Sequence, residues 1–136
     1  MKRLIAACVL PALAVVLTVA AASHSANKTG PQLAHMVFFT LKDHSPESRE
    51  KFATSCQKYL SGHQGTVYFS VGSIAEDVEE PVSVKDFDVA LHVVFEDKAA
   101  KQTYLDNPRH KQFVDENKEY FAKVRVFDSY LAAQKH

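Results

Sequence analysis

The stretch Tyr104-Leu-Asp-Asn-Pro-Arg-His-Lys-Gln-Phe113 gathers the residue types in this chain best placed to do chemistry. It reads as the end of one short helix, a capped break, and the start of a longer helix. Asn107 can cap the second helix with its side-chain oxygen, and Pro108 fits the first helical position, where its missing N–H costs nothing. The proline also pushes Asn107 out of the α region, as a cap requires. His110 then falls at the third helical position, beside the positive end of the helix dipole, which disfavours the imidazolium. A neutral imidazole near pH 7 is a proton acceptor. Proton abstraction next to a carbonyl needs one, together with a donor that stabilises the enolate oxygen. The plainer alternative is that His110 helps to cap its helix and hydrogen-bonds within the core.

Other candidate groups carry less. His35, His92 and His110 could serve a metal, but they are far apart in sequence and lack a helical His-x-x-x-His spacing, so no metal is assigned. His92 shares a strand face with Asp88 and Glu96, and a polar cluster at a sheet surface or dimer interface explains it. Cys56 sits on the apolar stripe of a helix and reads as a small core residue rather than a reactive thiol. The acidic run Glu76, Asp77, Glu79 and Glu80 matches no calcium-loop spacing and reads as a solvated loop. No nucleotide loop, haem attachment motif or nucleophilic triad is present, and no cofactor is expected.

The chain has 136 residues, room for one domain once a targeting segment is set aside. Lys2 and Arg3 precede 19 uncharged residues (4–22), seven of them alanine, and Ser23 to Ala26 are small or polar. This pattern is that of a secretory signal peptide over 1–26, with export to a periplasm or medium and no membrane attachment after cleavage. An uncleaved anchor is the competing reading, since the run is just long enough to span a bilayer. Removing Lys2 and Arg3 from sixteen basic residues leaves fourteen against sixteen acids, a formal charge of −2. Such a chain has no basic field for nucleic acid. Only Cys56 remains after Cys8 is lost, so no intrachain disulfide can form and the core alone must hold the fold.

Residues 27–32, with Gly30-Pro31, read as a linker, 33–131 as the domain and 132–136 as a loose tail. A first strand over 33–42 is apolar on both faces, so both should be covered, one by helices and one by a second subunit. Ser45-Pro46-Glu47 opens a helix whose inner stripe is Phe52, Cys56, Tyr59 and Leu60, ended by Gly62. Residues 66–73 form a second strand with Val67, Phe69 and Val71 on one face, and Gly72 marks a bulge or its end. Alternation over 86–96 gives a third strand. Asp97 caps a short helix over 98–106, and the second helix runs over 108–123 with Phe113, Val114, Tyr120 and Phe121 as its stripe. His110 and Asn117 share that stripe. A last strand spans 124–131. The order predicts an α+β, ferredoxin-like βαββα(α)β fold: an antiparallel sheet with helices on one face.

These pieces resemble the stress-responsive α/β-barrel domain family, Dabb. The resemblance rests on Ala34-His-Met-Val37, Phe87-Asp-Val-Ala-Leu91, Phe95-Glu-Asp97, Tyr104-Leu-Asp-Asn-Pro-Arg-His110 and Val126-Phe-Asp-Ser-Tyr130, in that order. It implies a homodimer whose two sheets stack into an α/β barrel. Some relatives, of the olivetolic acid cyclase type, close polyketide chains by aldol condensation. Their catalytic tyrosine and histidine map onto Tyr104 and His110, and a histidine of their first strand onto His35. Val89 stands where those enzymes carry another pocket histidine.

Three functions therefore stay open. One is a structural or stress-related role without turnover. Another is the binding of a small apolar ligand between helices and sheet. The third is a cofactor-free enzyme, a lyase or cyclase with His110 as general base and Tyr104 as donor, or a monooxygenase, since other dimeric α/β barrels do such chemistry. A cavity reaching His110 and Tyr104 would favour the last two, and a filled core there the first.

Overall fold

The computed structural model describes residues 30–132. The expected leader, the start of the linker and the tail beyond Ala132 lie outside the described residues. The elements are β1 (Leu33–Leu41), α1 (Pro46–Leu60), β2 (Thr66–Ser73), β3 (Val89–Phe95), α2 (Lys98–Asp106), α3 (Pro108–Asn117) and β4 (Phe121–Tyr130). The strands make one antiparallel sheet in the order β2-β3-β1-β4, the ferredoxin-like arrangement expected from the element order.

The helix starts follow their caps. Ser45 accepts from the Ser48 N–H, Asp97 from Ala100 N–H and Asn107 from Arg109 N–H, each satisfying a donor the helix itself cannot. Pro46 and Pro108 open α1 and α3. The core lies between the helices and one sheet face. Leu33, His35, Val37, Phe39 and Leu41 of β1 point into it, as do Val89, Leu91, Val93 and Phe95 of β3. Phe39, Phe52, Phe113 and Phe121 meet there edge to face or tilted, with ring centroids 4.9–6.3 Å apart. Cys56 is fully buried among them, and burial pushes its thiol up to about 12, which makes it the inert core residue expected.

Four expectations are corrected. α3 stops at Asn117, not 123, because the chain is drawn into β4: Phe121 pairs with Leu41, and the Lys42 N–H donates to the Tyr120 carbonyl. Phe121 therefore reaches the core from a strand, while Val114 and Tyr120 stay exposed. A bulge between Thr66 and Tyr68 turns Val67 out to solvent, so it leaves the face shared by Phe69 and Val71. β3 begins at Val89, and Asp88 is not on the open sheet face with His92. It is 2% exposed and accepts from Leu41 N–H (2.7 Å), His44 Nδ1 (2.9 Å) and Arg49 Nε (3.0 Å). The open face itself carries Met36, Phe38, Tyr68, His92 and Phe127. Phe38 packs there against Phe87 and Phe127.

Candidate functional site

Tyr104, on the inner face of α2, is the centre of a ring cluster between the helices and the sheet, and it is 1% exposed. The helix break at Asn107 swings α3 round so that His110 meets the Tyr104 ring at 4.7 Å between centroids and 64° between planes. β1 brings His35 to 6.3 Å from the same ring, and Phe95 of β3 lies against it at 5.0 Å. The three residues singled out in the sequence, His110, Tyr104 and His35, thus converge from three elements. A fourth joins them. His63, on the short turn between α1 and β2, is 7% exposed and stands edge-on to Tyr104 at 4.9 Å. Sequence reading missed it, since a histidine between Gly62 and Gly65 looks like exposed loop and has no periodicity to place it. His92 lies on the other sheet face, 3.2 Å from the Ser70 hydroxyl and beside Phe38.

The tautomers can be read from the hydrogen bonds. His35 Nδ1–H donates to Asp128 Oδ1 at 2.7 Å, and Lys101 Nζ donates to the other oxygen of that carboxylate at 2.5 Å. With Nδ1 committed as a donor, a neutral His35 keeps its lone pair on Nε2. His63 Nε2–H donates to the Tyr59 carbonyl at 2.8 Å. Asp128 lay in the motif Val126-Phe-Asp-Ser-Tyr130, but no role for it or for Lys101 was legible there.

Electrostatics set the charge states. Burial lowers the His35 pKa and outweighs the hydrogen bond and charge of Asp128, which raise it. Burial also works to raise Asp128, but the hydrogen bonds from Lys101 and His35 prevail and hold it below the usual carboxylate range. His110 is lowered by burial first, then by the charges of His63 and His35, so it is neutral at pH 7. The helix dipole invoked from sequence is not needed for that result. Burial pushes the Tyr104 phenol well above its ordinary value, so it stays protonated and can donate.

The cluster is filled by its own rings. Cavities of about 260 to 710 Å³ open elsewhere on the surface, and none of the five is lined by Tyr104, His110, His63 or His35. One, of about 260 Å³, reaches the outer side of the Lys101–Asp128 pair. Among the described residues, neither the Tyr104 hydroxyl nor the half-buried His110 ring bonds to another protein group, and the fully buried unpaired atoms, Thr66 Oγ1 and Arg125 Nε, lie in other residues. Chemically, this is a neutral base beside a protonated phenol, packed among rings.

Similar structures share the fold. A Dabb-family protein of ferredoxin-like fold from Mesorhizobium loti is 25% identical, with a TM-score of 0.64 over 76% of this chain and 100% of that one. A dimeric ferredoxin-like protein of unknown function from Thermobifida fusca is 16% identical, with a TM-score of 0.63 over 76% and 93%. A hydroxynitrile lyase from Passiflora edulis is also 16% identical, with a TM-score of 0.61 over 78% and 98%. No curated protein matches the chain. The family model for the stress-responsive A/B barrel domain matches residues 33–131, the whole run from the first residue of β1 to just past β4, and the chain belongs to that family.

Proposed function

We propose that this is an exported, homodimeric stress-responsive barrel protein that binds a small, largely apolar molecule at the Tyr104–His110 cluster. The filled cluster by itself weighs toward a role without a ligand, and one observation carries the binding reading against it. Buried polar groups are nearly always paired, and a phenol kept only to fill space could as well be phenylalanine. Among the described residues the hydroxyl of the buried Tyr104 and the half-buried His110 ring make no hydrogen bond to the protein, although neither is a fully buried unpaired atom, as Thr66 Oγ1 and Arg125 Nε are. A ligand with one carbonyl or hydroxyl on an apolar body would pair with both. Such a ligand must displace part of the ring cluster as it enters.

The homodimer is supported by the aromatic open sheet face of Met36, Phe38, Tyr68 and Phe127, and by the dimeric neighbour from Thermobifida fusca. Export is supported by the leader-like residues 1–26. N-terminal sequencing of exported protein should find a new start between Ser23 and Asn27, and intact Met1 on a membrane-bound form would overturn that part.

A thermal-shift screen of small phenols, ketones and carboxylic acids tests the binding reading. A ligand should raise the wild-type melting temperature, and His110→Ala should weaken its binding at least about tenfold, the worth of one lost hydrogen bond to a buried group. A ligand bound equally well by His110→Ala would contradict the site.

A second reading is cofactor-free lyase or cyclase chemistry, with His110 as general base, Tyr104 as the donor to the developing enolate, and His35 held in one tautomer by Asp128. The open Nε2 of His35 favours it. Deuterium exchange at the α-carbon of a bound ketone, absent in His110→Ala, would support this reading, and no exchange with any bound ketone would remove it.

A further inference from the structure

One carbonyl ties together the two elements that bring histidines to Tyr104. The last carbonyls of α1 have no donor within the helix. Three N–H groups converge on the Tyr59 carbonyl: His63 Nε2 at 2.8 Å, Arg109 Nε at 3.2 Å and Arg109 Nη2 at 3.1 Å. Arg109 Nη2 also reaches the Ser61 carbonyl at 2.5 Å. A guanidinium is a rigid fork, so bridging two carbonyls fixes where the side chain stands relative to α1, which a flexible ammonium would not do. Arg109 is the second residue of α3, and its own backbone N–H is held by Asn107 at 2.9 Å. The next residue is His110. His63, the other donor to Tyr59, lies edge-on to the same Tyr104 ring that His110 contacts.

We propose that Arg109 is a positioning residue for the Tyr104 cluster, setting through the Tyr59 and Ser61 carbonyls the distance and angle at which His110 meets the Tyr104 ring. Its functional meaning rests on the ligand-binding reading of that cluster, but the geometry and its test do not. The groups that face His110 are Tyr104 from α2, His63 from the turn after α1 and His35 from β1, with the Lys101–Asp128 pair behind His35. Burial and the two histidines keep the His110 ring neutral, so a ring that swings away from them should regain basicity.

The experiment is an NMR titration of the imidazole resonances in the full domain without ligand, for wild type, Arg109→Ala, Arg109→Gln and Arg109→Lys. In Arg109→Ala the His110 midpoint should rise toward its ordinary value by at least about 0.5 unit while that of His35 stays put. Arg109→Lys keeps the charge and loses the fork, so it should lie nearer to Arg109→Ala than to wild type. A lower melting temperature with an unchanged His110 titration would make Arg109 only a helix-end cap and overturn the proposal. Equal shifts of His35 and His110 would mean general loosening and overturn it too. If Arg109→Ala does not fold, the glutamine and lysine variants decide by the same measure. A failed ligand screen leaves this result standing, and a negative result here leaves the binding site in place.

Discussion

His35 and His110 are carried into the core as neutral rings, and that choice makes the protein acid-sensitive in a definite window. Both have folded pKa values below the unfolded value near 6.5, so above about pH 6.5 neither costs stability. As pH falls below that, the unfolded chain takes up protons the folded one refuses, and stability drops until the folded values are reached. Asp128 acts later, since its lowered pKa gives a contribution that is lost only as pH falls below about 4. The melting temperature should therefore fall between pH 7 and 5.5, and His110→Gln should flatten that slope. A slope unchanged by the substitution would contradict a half-buried, neutral His110. Asp128→Asn removes the charge that helps to raise His35 and leaves only a neutral acceptor, so the His35 midpoint should fall further; NMR would show a rise if the pairing were wrong. At this scale the sequence was half readable. Tyr104, His110 and His35 stood out because a cap, a proline break and a strand alternation each fix a side-chain direction. His63 did not, because its burial comes from α1 and α2 closing over a turn, which no local pattern encodes.

Elements were legible where their ends are chemically marked. Ser45-Pro46, Asp97 and Asn107-Pro108 announced three helix starts that the structure bears out. The end of α3 carries no such mark, and helical spacing continues through Tyr120 and Phe121. Pairing with β1 decides that stretch, and pairing partners 80 residues away are invisible to local periodicity. Asp88 likewise fits the alternation of β3, yet it turns inward as a clamp. Its carboxylate ties the end of β1 through Leu41 N–H to α1 through Arg49, which in turn bonds Glu76 in the acidic loop. Burial works to raise the Asp88 pKa, but these hydrogen bonds prevail and hold it below the ordinary range. Asp88→Ala would leave a half-buried guanidinium and a backbone donor unpaired, at a cost of about 3 kcal/mol, read from the urea midpoint at pH 7. A cost under about 1 kcal/mol would mean that the clamp closes on water at no loss.

For the molecule as a whole, the sheet's second face is where the proposed dimer would form. Phe38 on β1 and Phe127 on β4 project from it with their rings 5.8 Å apart, the kind of exposed apolar patch that marks an interaction site. Phe127→Asp should convert a dimer to a monomer in light scattering at micromolar concentration, and an unchanged mass would place the interface elsewhere. Inside each domain, the Tyr104 hydroxyl is proposed to serve a ligand rather than the fold's own stability, and functional groups of that kind are stability the fold forgoes. The global unfolding free energy of Tyr104→Phe tests this most directly. With no internal partner to lose, the substitution should leave stability within about 0.5 kcal/mol of wild type, or raise it. A loss of about 1–3 kcal/mol, the size of a broken buried hydrogen bond, would show that the hydroxyl serves the core and not a ligand.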